Sequence, residues 1–419
     1  MSRTAAAVGT ALLLFATIAH AEPLTLAKAI DIALTNNPQT RTTWLQARAA
    51  EAALGAEKSA YLPEIDLNAN LGRSHTSSAA ASTFFTPSVA LSYLLFDFGG
   101  REAAVEQARQ TLIAANLIHD QALQDIILRT EQVYYDYLDA KALLAAQDAT
   151  VRERQTSLDS ADARHSAGVA TIADVLQART ALSQAQLNRE TIEGQLRTIE
   201  GTIATVLGSP ATTKYEFGDL PLDVPAQTAT TQIEQLIAQA TNDRPELKAQ
   251  RAVAERAKAR IREVRSDYLP SFVVNANAGR SIVSGGGSFT PYSAVVGMRF
   301  PVFTGFRNTF DIRQAELEAD LEKENVRSLE QQVGLQVWTS YYALQTATHR
   351  LTTAKDLLTS AQQSADVARD RYKSGVGSIL DLLTAESALE SARAQEVQAR
   401  ADWFQAVAQL AHDTGDLKQ

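Results

Sequence analysis

The chain consists of two copies of one sequence unit, and this duplication limits the folds that it can adopt. Residues Ser59–Ser74 recur 207 positions later as Ser266–Ser281, with ten of the 16 positions identical. The same offset relates Arg164–Ala178 to Arg371–Ala385. Because one offset links separated segments, chance is a poor explanation. The sequence predicts two similar supersecondary units in tandem.

Each copy contains a glycine that predicts a tight turn between two helices. Gly168 and Gly375 can adopt the left-handed conformation that closes a helix at its C-terminus. A hydroxyl side chain and, three residues later, an aspartate follow each glycine, which is the spacing of a capping box. The two pairs are Thr171 with Asp174 and Ser378 with Asp381. We therefore expect helical hairpins with turns near residues 168 and 375.

Long helices are predicted on both sides of these turns. Residues 101–167 contain neither proline nor glycine and are rich in good helix formers. A helix of this length extends about 100 Å. A returning helix is expected to end near Leu207, and the second copy repeats the pattern from about Phe306 to about Ala411. The many alanines favour close antiparallel packing of the coiled-coil type, and a single chain would bury little of this surface.

Three prolines mark predicted junctions between helices and strands. Pro63 and Pro270 are expected to end the preceding helices near Leu62 and Leu269, because proline pushes the residue before it into extended geometry. Pro301 follows the last predicted strand. The periodicity of apolar residues changes from 3.6 to 2 after the first two prolines.

Alternating apolar and polar residues predict one β-hairpin in each copy, at about 64–98 and about 271–303. The stretches 74–86 and 283–290 are rich in small and polar residues and are expected to be loops. Such strands fit the length and alternation of outer-membrane barrel strands. A half-buried sheet in a soluble protein alternates equally well, so both interpretations remain open. A membrane-spanning sheet would need several chains to share one barrel, because four strands cannot close one and open edges are not tolerated in lipid.

Composition and the N-terminal segment narrow the possible functions. Residues 1–21 have the features of a secretory signal peptide, with Arg3 before an apolar run and small residues at the end. The net charge of −9 argues against nucleic-acid binding. The absence of cysteine excludes disulfides, thiol catalysis and thiolate metal sites. No motif indicates an enzyme, a cofactor or a metal site.

The predicted fold is mainly α, with a small β portion and an internal two-fold sequence repeat. We expect a first repeat at 22–208, a linker or equatorial segment at 209–229 and a second repeat at 230–419. The aromatic groups at 134–137 and 338–342 are expected to be packing anchors between helices. Arg73 and Arg280 are interpreted either as lining a barrel lumen near the outer loops or as lying at an interface, and the sequence does not decide between these positions.

The chain resembles the TolC-type outer-membrane efflux factors over essentially its whole mature length. The resemblance is carried by the doubled unit, by Tyr-Leu-Pro before a strand and by Gly-x5-Asp at both turns. Phe96–Arg101 and Val302–Gly305 match the segments that leave the barrel in that family. The resemblance implies a homotrimer with a 12-stranded β-barrel in the outer membrane and an α-barrel of long helices in the periplasm. It also implies a passive duct that docks to a periplasmic adaptor and an inner-membrane pump of the RND or ABC type.

The resemblance also assigns expected roles to three sets of residues. The periplasmic gate would comprise Asp174, Tyr372, Asp381 and Thr384. The turns that contact the adaptor would comprise Gly168, Val169, Ala170, Gly375, Val376 and Gly377. The junctions between helices and barrel would be Pro63, Pro270 and Pro301.

Within the expected gate, Asp381 matches an aspartate that narrows the entrance of the duct. Thr384 stands where the family has a second acidic residue, so the acidic ring is expected to be weaker. Tyr372 and Asp174 match positions whose link between helices keeps the tip shut. Gly377 stands where a second link has its basic partner, so that link is expected to be missing. Helix capping is the alternative role for both aspartates, and the two roles are compatible.

A soluble periplasmic coiled-coil adaptor is the alternative function. Adaptors also contain helical hairpins. They normally contain one, flanked by small β domains, whereas this chain is duplicated along its whole length.

Overall fold

The computed structural model describes residues 23–76, 79–222, 224 and 232–416. The predicted signal peptide and part of the predicted linker lie outside these residues. The first repeat contains α1 (Leu26–Asn36), α2 (Pro38–Ser59), β1 (Glu64–Thr76), β2 (Ala79–Phe96), α3 (Gly100–Ser166) and α4 (Ile172–Val206). The second contains α5 (Ile233–Asp243), α6 (Pro245–Ser266), β3 (Ser271–Gly279), β4 (Ser281–Val283), β5 (Gly287–Phe289), β6 (Tyr292–Arg299), α7 (Arg307–Lys373) and α8 (Ile379–Thr414).

Helices dominate the fold, as the sequence predicts. α3 and α7 each contain 67 residues, so each is about 100 Å long. α4 packs against α3 and α8 packs against α7, which forms two helical hairpins. α3 also contacts α8, and α6 contacts both α3 and α7. The two repeats therefore pack against each other along their long helices. No helix in the described part of the chain is long and apolar enough to span a membrane.

Alanines allow the helices of each hairpin to approach closely. Ala161 and Ala178 are fully buried between α3 and α4. Ala365 and Ala392 are fully buried between α7 and α8. Their small side chains let the neighbouring helix come near, which confirms the predicted antiparallel packing.

The first aromatic group is a packing anchor, as predicted. Tyr135 stacks on Phe404 of α8 with ring centroids 4.9 Å apart. Phe217, from the segment after α4, packs against the other tyrosines of the group and is buried. The second group is less enclosed, because Trp338 and Tyr342 are 48% and 42% exposed in the single chain. The two repeats therefore differ at this level of the molecule.

The strands form one antiparallel sheet in the order β1-β2-β3-β6. β4 continues the register of β3 along β2, and β5 pairs with β4. β5 continues the register of β6 in the same way, so the sheet is four strands wide. Among the strands that the structure describes, β1 pairs on one side only, as do β5 and β6 at the opposite edge. The sheet therefore has two open edges.

The predicted loop at 74–86 is wrong, because β1 continues to Thr76 and β2 begins at Ala79. Thr83, Phe84 and Phe85 have high strand propensity and pair with β1. In the second predicted loop, 283–290, residues 287–289 form β5. The composition of these stretches suggested loops, but pairing with neighbouring strands extends the sheet.

The helices before the sheet end three residues earlier than predicted, at Ser59 and Ser266. The amide of Leu62 donates to the carbonyl of Ser59 at 2.8 Å, and Leu269 makes the same bond to Ser266 at 2.9 Å. Proline excludes the preceding residue from α-helical geometry, so the chain tightens into a turn with three-residue spacing.

Candidate functional site

The two predicted helical turns have nearly the same backbone conformation. Gly168 and Gly375 have φ angles of 76° and 77°. The amide of Val169 donates to the carbonyl five residues earlier at 3.0 Å, and Val376 makes the equivalent bond at 3.1 Å. With the bonds donated by the glycine amides, these contacts form a Schellman motif at each helix end. The prediction that both glycines close helices is confirmed.

Both predicted capping boxes are present. Thr171 N–H donates to Asp174 Oδ2 at 2.9 Å, and Asp174 N–H donates to Thr171 Oγ1 at 3.3 Å. Ser378 and Asp381 exchange the corresponding bonds at 3.3 and 3.0 Å. A cap of this kind contributes about 1 kcal/mol. Asp381 is nevertheless exposed, so capping leaves its carboxylate in contact with solvent.

Arg164 joins the two turns to each other. Its Nη1 donates to the backbone carbonyl of Tyr372 at 2.9 Å, and its guanidinium lies 4.9 Å from the centroid of the Tyr372 ring. A Cβ at Gly375 would lie 3.7 Å from the same guanidinium. Sequence analysis gave Arg164 no role, although it opens the repeated motif. Its hydrogen-bond partner is a backbone carbonyl 208 positions away, and such a partner leaves no signal in the sequence.

Tyr372 is 4% exposed, and its hydroxyl has no hydrogen-bond partner among the described residues. Burial raises the pKa of Tyr372, so the hydroxyl remains a donor at neutral pH. The carboxylate of Asp174 is engaged in its own capping box. The expected link between Tyr372 and Asp174 is therefore not formed within one chain, and it stays a prediction for the assembled tip.

The other expected gate positions lie near the second turn. Thr384 is exposed on α8, one turn after Asp381. A Cβ at Gly377 would come within 3.1 Å of the backbone nitrogen of Tyr372. This close approach favours glycine at the position where the resemblance expects a basic residue.

Large apolar side chains are exposed at both turns and on the first turns of α4 and α8. They are Val169 (64% exposed), Ile172 (57%), Leu176 (52%), Val376 (70%) and Leu380 (62%). Exposed apolar residues grouped at one end of a molecule are typical of a surface that contacts another protein.

A buried ion pair connects the two hairpins above the turns. Arg154 on α3 and Glu386 on α8 are 3% and 2% exposed in their side chains, and Nη1 lies 3.0 Å from Oε2. Ser157 donates to the second oxygen of Glu386 at 2.9 Å. Glu390 lies 3.5 Å from Arg154 Nη2. Sequence analysis missed this network because its contacts join residues of α3 to residues of α8 more than 200 positions away.

The cross-strand register collects apolar residues from all four strands on one face of the sheet. One row is Ile65–Leu91–Ala276–Ala294, and the next is Leu67–Val89–Ala278–Tyr292. The opposite face carries rows such as Asp66–Ala90–Asn277–Ser293. The predicted alternation is therefore confirmed, and the four strands share one apolar face.

The junction prolines lie where strands and helices meet. Pro63 directly precedes β1, Pro270 directly precedes β3, and Pro301 follows β6. Before α3 and α7, the chain turns through left-handed residues that include Phe98 and Phe306, with φ of 52° and 64°. Residues other than glycine rarely adopt this backbone conformation, and sequence analysis did not identify it.

Among the described residues, no group of three or more metal-ligating side chains could hold a metal ion. The functional features are thus the exposed turns, the ion pair that connects the hairpins and the sheet with one apolar face.

Comparison with known proteins gives consistent relatives. CyaE of Bordetella pertussis is 28% identical over 386 residues, which cover 90% of this chain and 81% of CyaE. TolC of Escherichia coli K12 is 23% identical over 416 residues, which cover 95% of this chain and 83% of TolC. The solved outer-membrane channel OprN superposes with a TM-score of 0.84 at 18% identity, covering 93% of this chain and 89% of OprN. The Campylobacter jejuni channel CmeC gives 0.82 at 18% identity, covering 93% and 85%.

The solved structures are less than 25% identical to this chain, so they show a shared fold. The family of the chain is shown by its match to a sequence profile. The profile described as "Outer membrane efflux protein" matches residues 29–209 and 236–416, which are the two repeats. With both repeats matched and most of the chain covered, this chain belongs to the outer membrane efflux protein family.

Proposed function

We propose that this chain is the outer-membrane exit channel of a tripartite efflux or type I secretion system. Three chains would contribute four strands each to a 12-stranded barrel, and the long helices would extend into the periplasm as an α-barrel. The channel would be a passive duct that docks to a periplasmic adaptor and an inner-membrane pump. The observation that carries this proposal is the four-stranded sheet with two open edges and one apolar face.

The exposure of the apolar face supports a place in lipid. Leu67 and Leu71 are 80% and 75% exposed, and Val296 and Met298 are 67% and 63% exposed. In water, such a surface would be covered by another part of a protein. In lipid it needs no cover, but the open edges must then pair, because unpaired backbone groups are not tolerated there. Pairing of β1 with β6 of a neighbouring chain would satisfy these open edges, while the apolar face remains in contact with lipid.

The alternative of a soluble periplasmic adaptor is wrong, because the chain belongs to the outer membrane efflux protein family. The duplicated hairpins and the four-stranded sheet agree with this correction.

The exposed turns are the proposed docking surface for the adaptor. Val169 and Val376 protrude from the Schellman turns and are 64% and 70% exposed. Rigid turns of this kind present the apolar side chains without much loss of conformational freedom on binding. The cargo would be selected largely by the pump and the adaptor, since the duct itself is passive.

The proposal is tested by outer-membrane fractionation followed by photo-crosslinking in cells. A photo-reactive residue replaces Ala170 or Val376 at the turns, and a matched control replaces Leu45, which is exposed on α2. We expect an adaptor to be trapped from both turns and not from Leu45. An adaptor that works with a proton-driven pump indicates small-molecule efflux, and one that works with an ABC transporter indicates protein secretion or macrolide-type export. A soluble chain, or turns that trap no adaptor, would contradict the proposal.

A further inference from the structure

Arg73 and Arg280 occupy equivalent positions in the two repeats, and the register of the sheet determines the face on which they lie. Arg73 is the Cα partner of Thr83 in β2. Side chains alternate between faces along a strand. Arg73 therefore shares a face with Leu71 and Leu67, which belong to the apolar face.

The position of Arg280 follows from the strands on either side of it. β3 and β4 keep one register with β2, since Gly279 pairs with Ser88 and Ile282 pairs with Phe85. Arg280 thus lies opposite Pro87, and its amide donates to the carbonyl of Pro87 at 2.9 Å. This places Arg280 on the same face as Ala278. Both arginines therefore lie on the apolar face and not on the polar face that would line a lumen.

The two arginines also lie equally far along their strands from the helical end of the sheet. Arg73 is nine residues after Glu64, the start of β1, and Arg280 is nine residues after Ser271, the start of β3. Nine residues of strand span about 30 Å, or about 20–25 Å along the membrane normal at the usual tilt of barrel strands. This is the height of the apolar band of outer-membrane barrels, about 25 Å. Both arginines thus lie at the outer border of the band.

On each strand, four residues between the strand start and the arginine share its face. They are Ile65, Leu67, Ala69 and Leu71 in β1, and Phe272, Val274, Ala276 and Ala278 in β3. All eight are apolar. Each arginine is therefore the first charged residue on its face after an uninterrupted row of apolar residues along the strand. Tyr292, the partner of Ala278, is 84% exposed on this face. Tyrosine is typical of the level at which lipid tails meet headgroups.

No carboxylate of the described chain neutralises these arginines. Both side chains are exposed, and neither forms an ion pair with a described residue. The contact of Arg280 is a hydrogen bond from Nη2 to Ser288 Oγ at 3.3 Å. The sequence contains no Asp or Glu at 67–96 or at 268–310. The positive charge of this part of the sheet is therefore not balanced by a carboxylate of the described chain.

We propose that Arg73 and Arg280 form a binding site for the phosphate groups of glycolipids in the outer leaflet of the membrane. A guanidinium binds phosphate through two parallel hydrogen bonds. Its aliphatic stem lies along the apolar surface while the charged end reaches the headgroups. A trimer would present such a pair three times around its circumference. This inference rests on the proposed placement of the sheet in the outer membrane.

The test compares lipid binding by purified channel and by matched variants. The probes are lipid A, which carries phosphate on its sugars, dephosphorylated lipid A, and inorganic phosphate. Readouts are the shift in Tm on adding each probe to detergent-solubilised protein and the apparent Kd from its concentration dependence. The test variant is the double substitution Arg73→Gln with Arg280→Gln. The control is Arg299→Gln, because Arg299 lies on the polar face near the helical end of the sheet.

We expect lipid A to raise the Tm of the native chain and of the Arg299→Gln control, and the two other probes to leave it unchanged. In the double variant, the apparent Kd for lipid A should rise at least about tenfold, since charge-assisted hydrogen bonds are lost. An undiminished shift in the double variant overturns the proposal, as does an equal response of the native chain to dephosphorylated lipid A.

Two further measurements separate this inference from the proposed function. The variants are first tested for outer-membrane fractionation and for native Tm without lipid. If the native chain does not fractionate with the outer membrane, the proposed function itself fails. If the Gln variant folds poorly, the pair Arg73→Lys and Arg280→Lys retains the charge but loses the bidentate geometry. Its lipid A shift should fall between those of the native chain and a chain without binding, and a fully native shift counts against phosphate recognition by these arginines.

Discussion

At the scale of single residues, His412 near the end of α8 lies between the carboxylates of Asp125 on α3 and of its own neighbour Asp413. Its Nε2 lies 3.0 Å from Asp125 Oδ1, and its Nδ1 lies 3.1 Å from Asp413 Oδ1. Burial alone lowers the pKa of His412. The hydrogen bonds to the two carboxylates outweigh this effect and raise the pKa from 6.5 to about 9. The imidazolium is therefore the folded-state form at neutral pH.

This raised pKa predicts that His412 stabilises the fold below neutral pH and not in alkali. The folded pKa is above the unfolded value, so the contribution is complete below pH 6.5 and is lost as pH rises through about 9. The shift corresponds to about 3 kcal/mol. We expect His412→Gln to lower the Tm strongly at pH 6 and much less at pH 10, as measured by thermal unfolding in detergent. His349→Gln is the control, because His349 is exposed. A Tm difference that does not vary with pH would contradict the ion-pair role.

Asp381 caps α8 at the second turn, and we propose that its charge also narrows the entrance of the duct. A ring of three carboxylates at a narrow entrance would bind divalent cations and slow the passage of ions. Asp381→Ala should therefore raise cation permeation through reconstituted channels and weaken block by added divalent cations on the order of tenfold.

Two variants distinguish these roles of Asp381. Asp381→Asn removes the charge but keeps an acceptor for the Ser378 amide, and Ser378→Ala removes the cap hydroxyl but keeps the charge. Block should weaken in the first and remain in the second, whose cost is about 1 kcal/mol of stability. If block is unchanged in Asp381→Ala, Asp381 is not part of the gate.

At the scale of secondary-structure elements, the ion pair between α3 and α8 fixes one hairpin against the other. Burial raises the pKa of Glu386, and Ser157 and Arg154 partly offset this effect. Ionised Glu386 thus depends on Arg154 for compensation. Removing one partner of a buried pair costs about 3–5 kcal/mol.

We expect Arg154→Met to destabilise the fold by about this amount at pH 8. The loss should be smaller at pH 5, because Glu386 can then take up a proton and no longer needs a cation. Thermal unfolding at the two pH values measures both effects. Arg350→Met is the matched control, since its partner Asp402 is 37% exposed and Arg350 is 59% exposed. A surface pair of this kind contributes less than about 1 kcal/mol. Equal losses in the two variants would argue against a special role for the buried pair.

The elements were predictable from the sequence, whereas many contacts between them were not. Prolines, glycines and the change of period identified the helices, the strands and the two turns, because these signals are local. The position of Arg154 opposite Glu386, and of Arg164 on the carbonyl of Tyr372, depends on how two helices pack. The same holds for the face of Arg280, which follows from the register with Pro87. Such features carry no signal within a short window of sequence.

At the scale of the whole molecule, the duplication explains why the sheet of a single chain has two open edges. Each repeat contributes one hairpin, so the sheet ends at β1 on one side and at β6 on the other. Within the described part of one chain, both edges and the apolar face have no partner. In the proposed barrel, a closed ring of chains would satisfy the edges, and lipid would satisfy the face. The β1 edge is longer than the sequence predicted, because strand pairing continues to Thr76 inside the predicted loop at 74–86.

The proposed ring predicts that β1 of one chain pairs with β6 of the next. The sequence has no cysteine, so introduced cysteines are the only ones that can form disulfides. One cysteine replaces Asn68 on β1, and a second replaces Ser293, Val295 or Gly297 on the same face of β6. Paired strands bring Cα atoms to about 5.5 Å, within the range of a disulfide. At the correct register, oxidation in the outer membrane should give covalent dimers and trimers on denaturing, non-reducing gels.

The pair Asn68→Cys with Ser88→Cys is the control for this experiment, because these residues are Cα partners within one chain. It should close inside the monomer and give no larger species. If the control forms its disulfide while all three β6 positions yield monomer alone, the open edges do not meet, and the shared barrel is contradicted. A ladder that ends at the trimer would set the number of chains, because a ring of three closes on itself and leaves no free edge for a fourth.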